Sequence, residues 1–300
     1  MSEGLLLLDK AVGSSSFKAL YPVKRLFKGK KIGHAGTLDP AASGLLVVGV
    51  GGGTRLMEFF ESMPKKYRFD LQLGITTDTY DLEGKILEER DASGIREEQI
   101  QEALVPFRGF ISQLPPAYSA VKIQGKRACD RMRAGETVVL SPRNVHITSL
   151  EMLAFSPDKV TLEMSCSKGT YVRTIAHDIG QVLKCGAVAK NIRRLSVGPF
   201  RIEDAFTEEA LKGDENLLPI EKAVAHMPGL QLRSTWIAGL LNGNPVPPAG
   251  YIPQPGPMLE PFVSTEETLY GIFSPASKLI AVGTVSSTGQ LLPRKVLQKA

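Results

Sequence analysis

Gly33-His34-Ala35-Gly36-Thr37-Leu38-Asp39-Pro40, leading into the apolar run Leu45 to Val50, is the stretch on which the reading of this chain turns. Pro40 disfavours the α region for the residue before it, which sets Asp39 in an extended or turn conformation. Gly33 and Gly36 permit a tight loop and allow another molecule to come close to the backbone. Leu45 to Val50, closed by Gly51-Gly52-Gly53, has the length and valine content of a buried strand. The combination is a carboxylate on a stiff loop beside a core strand. Two readings of Asp39 stand at this point: a helix N-cap with Pro40 at the first helical position, or a reactive acid. His34 is likewise either a satisfied loop histidine or a functional one.

On the N-terminal side, Leu5 to Leu8 reads as a short buried strand ending in Asp9-Lys10, and Gly13-Ser14-Ser15-Ser16 as a turn. Phe17, Leu20, Val23 and Phe27 keep helical spacing, with Pro22 at a bend or in the first turn. That helix ends in Lys24, Arg25, Lys28, Lys30 and Lys31, either a solvated end favoured by the helix dipole or a contact for an anion.

On the C-terminal side, Thr54 to Phe60 reads as a short helix. Tyr67, Phe69, Leu71 and Leu73 alternate with Lys66, Arg68, Asp70 and Gln72, the pattern of a strand with one buried face. Tyr67 is either a core-edge residue or an aromatic platform. Residues 74–81 read as loop, 84–87 as strand, Glu97 to Leu104 as helix, and Gly125 as the start of a basic helix. Val145 to Leu153 and Val160 to Cys166 are strands, the second placing Cys166 on an apolar face as a buried thiol. Gly169-Thr170-Tyr171-Val172-Arg173 opens a helix whose stripe is Val172, Ala176, Ile179 and Leu183. Arg173 lies off that stripe at the positive end of the helix dipole, where a cation calls for a carboxylate or a phosphate. His177, four residues on, reads as a surface histidine. Arg193 and Arg194 are neighbours on a strand, so at most one faces any single cleft. Glu208 to Pro228 reads as helical and linker-like. A second unit then holds a helix over 232–241, a proline-rich loop over 245–261 and short strands at 268–273, 279–285 and 291–296.

The 300 residues, 43% hydrophobic and 22% charged, suit one large and one small domain, expected at 1–229 and 230–300. A net charge of +5 fits a polyanionic partner. Cys129, Cys166 and Cys185 form no Cys-x-x-Cys pair, and the four histidines lack metal-ligand spacing, so no disulfide, metal or cofactor is expected. No secretory signal is visible, and no apolar run approaches the roughly 20 residues of a membrane helix, so the expected location is the cytoplasm.

The string Gly-His-Ala-Gly-Thr-Leu-Asp-Pro-x-Ala-x-Gly-Leu-Leu resembles the catalytic motif of the bacterial tRNA pseudouridine-55 synthases, the TruB family. Leu8-Asp9-Lys10, Lys66-Tyr67, Pro115-Pro116-x-Tyr118-Ser119-Ala120-x-Lys122, Gly169-Thr170-Tyr171-x-Arg173 and Arg193-Arg194-Leu195 follow in the family's order. The C-terminal stretch, with Pro293-Arg294-Lys295-Val296-Leu297, looks like the small RNA-binding PUA domain.

The resemblance implies a mixed α/β (α+β) catalytic domain around a large, mainly antiparallel sheet with an RNA cleft across it. It implies a monomer whose partner is the T-arm stem-loop of tRNA. It also implies roles: Asp39 as nucleophile, Tyr67 packing on the target base, and Arg173 pairing with the carboxylate. Tyr171 and Ile192 line the pocket, His34 holds the opened T loop, and Arg55, Lys66 and Arg193 contact substrate. The chain departs from the family pattern at Ala11, at Ser14 to Ser16, and at Arg55, Cys129 and Ile192. The alternative reading is a non-enzymatic RNA-binding, tRNA-folding factor on the same scaffold.

Overall fold

The computed structural model describes residues 3–157, 159–254 and 268–297. Its N-terminal part is β1 (Gly4–Lys10), α1 (Leu20–Leu26), β2 (Ile32–Ala35) and β3 (Ser43–Val50). Both faces of β1 and β3 are covered, which is why each reads as a continuous apolar run. Leu5, Leu7, Leu45 and Val47 pack on one side with Leu56 and Phe60. Leu6, Leu8, Leu46 and Val48 pack on the other with Leu20, Val23 and Phe27. Helix α2 (Met57–Ser62) leads into β4 (Lys65–Leu73), the hairpin of β5 (Ile75–Thr77) and β6 (Ile86–Glu89), α3 (Glu97–Leu104) and β7 (Gly109–Gln113). A second hairpin, β8 (Lys122–Ile123) and β9 (Lys126–Arg127), carries α4 (Ala128–Arg133). Then come β10 (Arg143–Ser156), β11 (Lys159–Cys166), α5 (Val172–Val182), β12 (Ala187–Val197) and β13 (Phe200–Arg201).

The large sheet has nine strands in the order β1-β3-β12-β4-β11-β10-β7, with β2 added to β3 and β13 to β12. Among the described residues its pairs are antiparallel except where β12 meets β3, through Arg193–Ser43 and Arg194–Gly44. That short parallel contact joins two halves of the sheet. Only glycine fits at position 44: at φ +102° a Cβ would lie 2.3 Å from the Arg194 carbonyl oxygen. Helices α3 and α5 close the second half over one core with Phe69, Leu71, Leu162, Met164, Ile100 and Ile179. Cys166 is in that core, and burial pushes its thiol up to about 12. The fold is the mixed α/β class with a mainly antiparallel sheet that the sequence led us to expect.

Several local expectations are corrected. Gly33 to Ala35 are strand, not loop; Gly33 faces Gly49 across the ladder, and two glycines opposite each other hide the strand signal. Ile75 to Thr77, expected in a loop, pair with β6. Lys126 and Arg127 are strand rather than helix, because Gln124 and Gly125 both take positive φ (49° and 84°), the geometry of a tight hairpin turn. Of Glu208 to Pro228, expected as a helical linker, residues 208–218 hold only the single helical turns Glu208–Ala210 and Asp214–Asn216. Residues 206–218 run as a strap along β1, bridged at Leu8–Phe206 and Leu5–Leu218.

Helix α6 (Ile220–Ala223) leads to β14 (Gly229–Leu232), α7 (Ile237–Leu241), β15 (Tyr251–Gln254), β16 (Tyr270–Phe273), β17 (Leu279–Val285) and β18 (Leu291–Val296). The helix expected over 232–241 is thus shorter, and part of the expected proline-rich loop is β15; its residues 255–261 lie outside those described. The five strands form a sheet in the order β15-β14-β16-β17-β18. Leu279, Val282 and Leu297 of this module share one apolar cluster with Leu56, Phe60, Val224 and Met227.

His226 sits at this seam, half-buried, 6.3 Å from the Phe60 ring and 6.4 Å from the Phe200 ring between centroids. Burial pushes its pKa down to about 4. The unfolded chain takes up that proton near pH 6.5, the folded protein only near 4, so the neutral ring's contribution is complete above pH 6.5 and is lost as pH falls to 4. His226→Phe should flatten the fall in stability across that window, by about 2 kcal/mol once partial exposure is allowed for. Urea unfolding at a series of pH values measures this. Asp178, raised by burial to about 6, acts in the opposite direction in both proteins and cancels in the comparison.

Candidate active site

Asp39 stands on the connection between β2 and β3, at the junction of the two sheet halves. The N-terminal turn fixes the backbone on either side of it. Gly13 N–H donates to the Pro40 carbonyl at 2.9 Å. The buried Ser16 hydroxyl accepts from Leu38 N–H at 2.8 Å and donates to the Leu38 carbonyl at 3.0 Å. Lys10, fully buried, ties the turn itself, with Nζ donating to the carbonyls of Ala11 (2.8 Å) and Ser14 (2.6 Å). Burial pushes that ammonium down to about 8, against the attraction of Asp39. Ser16→Ala leaves the Leu38 amide buried and unpaired. We expect a loss of about 1–3 kcal/mol in urea unfolding, and a loop around Asp39 that is held less firmly.

The partner called for by Arg173 is Asp39. Nε of Arg173 donates to Asp39 Oδ2 at 2.9 Å, with the Asp39 side chain 42% exposed and that of Arg173 only 5%. The acid therefore faces outward with the guanidinium behind it. Nη1 donates to the Thr79 carbonyl at 2.8 Å and Nη2 to the Tyr118 carbonyl at 2.9 Å. A second carboxylate, Asp81, lies 3.6 Å from Nε. Asp81 is buried and accepts from the Thr79 hydroxyl (2.6 Å) and the Glu83 amide (3.0 Å). Between Thr79 and Asp81, Tyr80 takes φ +62° and stacks on His177 at 3.9 Å and 15°. His177 is half-buried, not a plain surface residue, and holds this strap against α5 one turn beyond Arg173.

Tyr67 is half-buried on β4, facing Arg194 of β12 and Met164 of β11 across the ladders. Burial raises its phenol pKa, and Asp39 is close enough to add to that shift. Arg194, fully buried, donates from Nε to the Leu45 carbonyl (2.7 Å) and from Nη2 to the Gly36 carbonyl (3.1 Å), so it braces both ends of the Asp39 loop. Tyr171 precedes α5. The Gln113 side chain accepts from its amide at 2.8 Å and donates to its carbonyl at 3.1 Å, and Arg143 covers its ring at 4.5 Å. Ile192 is buried in the core beneath. His34 is on β2 with Nδ1 buried and unpartnered; burial first, then Arg194, lowers its pKa, so the ring is neutral at pH 7.

Three expected contact residues direct their charge elsewhere. Arg55 Nη1 donates to the Val296 and Leu297 carbonyls, at 2.7 and 3.1 Å, and ties the C-terminal module to the segment that follows β3. Lys66 pairs with Glu163 at 2.6 Å. Arg193 pairs with Asp9 at 2.7 Å, on the strand face opposite Arg194. The sequence reading missed Ser16, Asp81, Gln113 and Arg194. For Asp81 a signal was present: an arginine at a helix start needs carboxylates, and Thr77-Asp78-Thr79-Tyr80-Asp81 supplies two.

A half-exposed carboxylate held from behind by a guanidinium anchored through each of its three nitrogens, with an aromatic side chain near it, suits covalent attack on an electrophilic carbon of a bound ligand. A family model described as TruB family pseudouridylate synthase (N terminal domain) matches residues 24–172, and one described as tRNA pseudouridylate synthase B C-terminal domain matches 173–225. The tRNA pseudouridine synthase B of Pseudomonas aeruginosa (strain UCBPP-PA14) is 38% identical over 98% of this chain and 96% of its own length. That of Endomicrobium trichonymphae is 43% identical over 73% of this chain and 96% of its own length. A chain in the crystal structure of a Cbf5-Nop10-Gar1 complex has the same fold, with a TM-score of 0.73 at 24% identity over 99% of this chain and 85% of that one. The chain belongs to the TruB family of tRNA pseudouridine synthases.

Proposed function

We propose that this chain isomerises uridine 55 in the T loop of tRNA to pseudouridine, with Asp39 as the nucleophile. The observation that carries the reading is the Asp39–Arg173 pair, a carboxylate turned to solvent on a buried cation. The reaction breaks the C–N glycosidic bond, turns the uracil and rejoins it to the ribose through carbon. The target must first leave the base stack, at a cost of a few kcal/mol. Tyr67 offers a flat face that returns roughly 1–3 kcal/mol by stacking. Asp39 then forms a temporary covalent bond to carbon of the bound uridine, broken again as the base is rejoined. The uracil carbon that takes the new bond gives up its proton to solvent, and the freed ring nitrogen takes one up. Arg173 aims the carboxylate, and a hydrogen bond from each of its two terminal nitrogens, to the Thr79 and Tyr118 carbonyls, holds it against swinging away.

Tyr171 and Ile192 form the pocket wall in this reading. His34, neutral with a free ring nitrogen, meets the opened loop. The C-terminal module serves as a PUA-like RNA-binding unit, and the protein acts as a cytoplasmic monomer. The test is to incubate the protein with an unmodified tRNA transcript and with one carrying cytidine at position 55, mapping pseudouridine in each. Product at 55 in the first and none in the second is the expected result. Binding without product in either would replace this reading by that of a folding factor.

A further inference from the structure

Between Asp9 and Asp39 the chain carries no acidic residue. Lys18, Lys24, Arg25, Lys28, Lys30 and Lys31 lie at its surface, exposed or half-buried. Within this basic stretch two aromatic side chains point into solvent: Phe17 is 57% exposed and Tyr21 is 51% exposed. Their rings meet edge to face with centroids 5.6 Å apart. Lys24 Nζ lies 4.2 Å from the Phe17 centroid and 5.7 Å from that of Tyr21. None of the catalytic contacts described above uses these three residues. Their place is fixed, because Phe17 directly follows Ser16, whose hydroxyl clamps Leu38 beside Asp39. The aromatic pair and the reactive carboxylate are therefore tied to one another through a single buried residue.

We infer that Phe17 and Tyr21 form a stacking platform for a second, unpaired nucleobase of the RNA substrate, flanking the nucleotide that enters the Asp39 site. Pulling one base from a loop strips its neighbour of a stacking partner, and an exposed aromatic face replaces it for any base. The surrounding cations suit the phosphates on either side of such a base. Lys24 fits the same role. At an exposed site its hold on the Phe17 ring is weak. A phosphate arriving with the base draws the ammonium off and uncovers the ring. The occupant is RNA rather than an apolar protein surface, because a run of six cations without one acid is matched by a polyanion.

This inference rests on the reading that the T arm lies against Asp39, and the experiment separates the two. Wild-type turnover of a T-arm stem-loop tests that reading by itself. Steady-state kinetics on the same RNA then compare the wild type with the Phe17→Ser/Tyr21→Ser double variant and with Phe17→Trp. Both positions are exposed, so the variants keep the fold. The double variant should raise KM by about tenfold to a hundredfold with kcat within about twofold, and leave the salt dependence of binding unchanged. Phe17→Trp should keep the wild-type KM, and its added fluorescence, read above that of the single native Trp236, should be quenched when the stem-loop binds. A KM within about twofold of wild type in the double variant overturns the platform. So does a fall in kcat at constant KM, which would mean that the rings only brace the turn around Ser16. An unquenched tryptophan at position 17 also overturns it.

Discussion

Asp39→Asn should lower the single-turnover rate of pseudouridine formation by about 10⁴-fold or more while keeping RNA affinity within about threefold. The amide is the same size as the carboxylate, and its oxygen can still accept from Arg173 Nε, now 2.9 Å from Oδ2. It has no lone pair basic enough to form a bond to carbon. The protein should remain folded, because Asp39 is half-exposed and Arg173 keeps Asp81 and two carbonyls as partners. Binding should persist or tighten slightly, since a negative charge facing an anionic RNA is removed. The two readouts together identify the role. A variant that stays fully active would show that Asp39 only shapes the loop, as the N-cap reading of Asp-Pro would have it. A variant that loses binding and rate alike would make it a recognition residue.

The sequence made the core strands legible because their burial differs in kind. β1 and β3 are covered on both faces and read as apolar runs, whereas β4 is covered on one face and alternates. The Asp39–Arg173 pair was legible for different reasons at its two ends. Arg173 was marked by its place at a helix start, which physics alone makes anomalous. Asp39 is 134 residues away, and no periodicity reaches that far; a motif resemblance supplied it. The two adjacent arginines show where pattern stops. Period-two alternation does place Arg193 and Arg194 on opposite faces. It does not say which face meets the active loop, because the register of β12 against β4 shifts between Lys190 and Arg193 and again between Arg194 and Ser196. Bulges of this kind depend on cross-strand partners, and a single strand's sequence does not encode them. The bonds of Arg55 were illegible for a related reason: its partners are backbone carbonyls more than 240 residues on, and carbonyls carry no sequence signal.

Removing the guanidinium should be the most destabilising single change at the site. In Arg173→Ala the buried Asp81 loses the cation beside it and the carbonyls of Thr79 and Tyr118 lose their donors, so we expect about 3–5 kcal/mol of stability to go, along with turnover. Arg173→Lys keeps the charge but not the fork. One ammonium on a flexible stem cannot serve Asp39, Thr79 and Tyr118 at once, and we expect a smaller loss of stability with a rate about 10²–10³-fold down. Asp81 decides how the cost divides. If the penalty in Arg173→Ala is chiefly an uncompensated buried charge, then adding Asp81→Asn should restore about 1–2 kcal/mol relative to the sum of the single changes. Urea unfolding of the four proteins closes that cycle. Strict additivity would mean that the 3.6 Å approach of Asp81 to Nε carries no energy, and that Asp81 serves only to shape the Thr79–Glu83 turn. Recovery of stability without recovery of rate would separate the two carboxylates: Asp81 holds the cation in place, and the cation in turn aims Asp39.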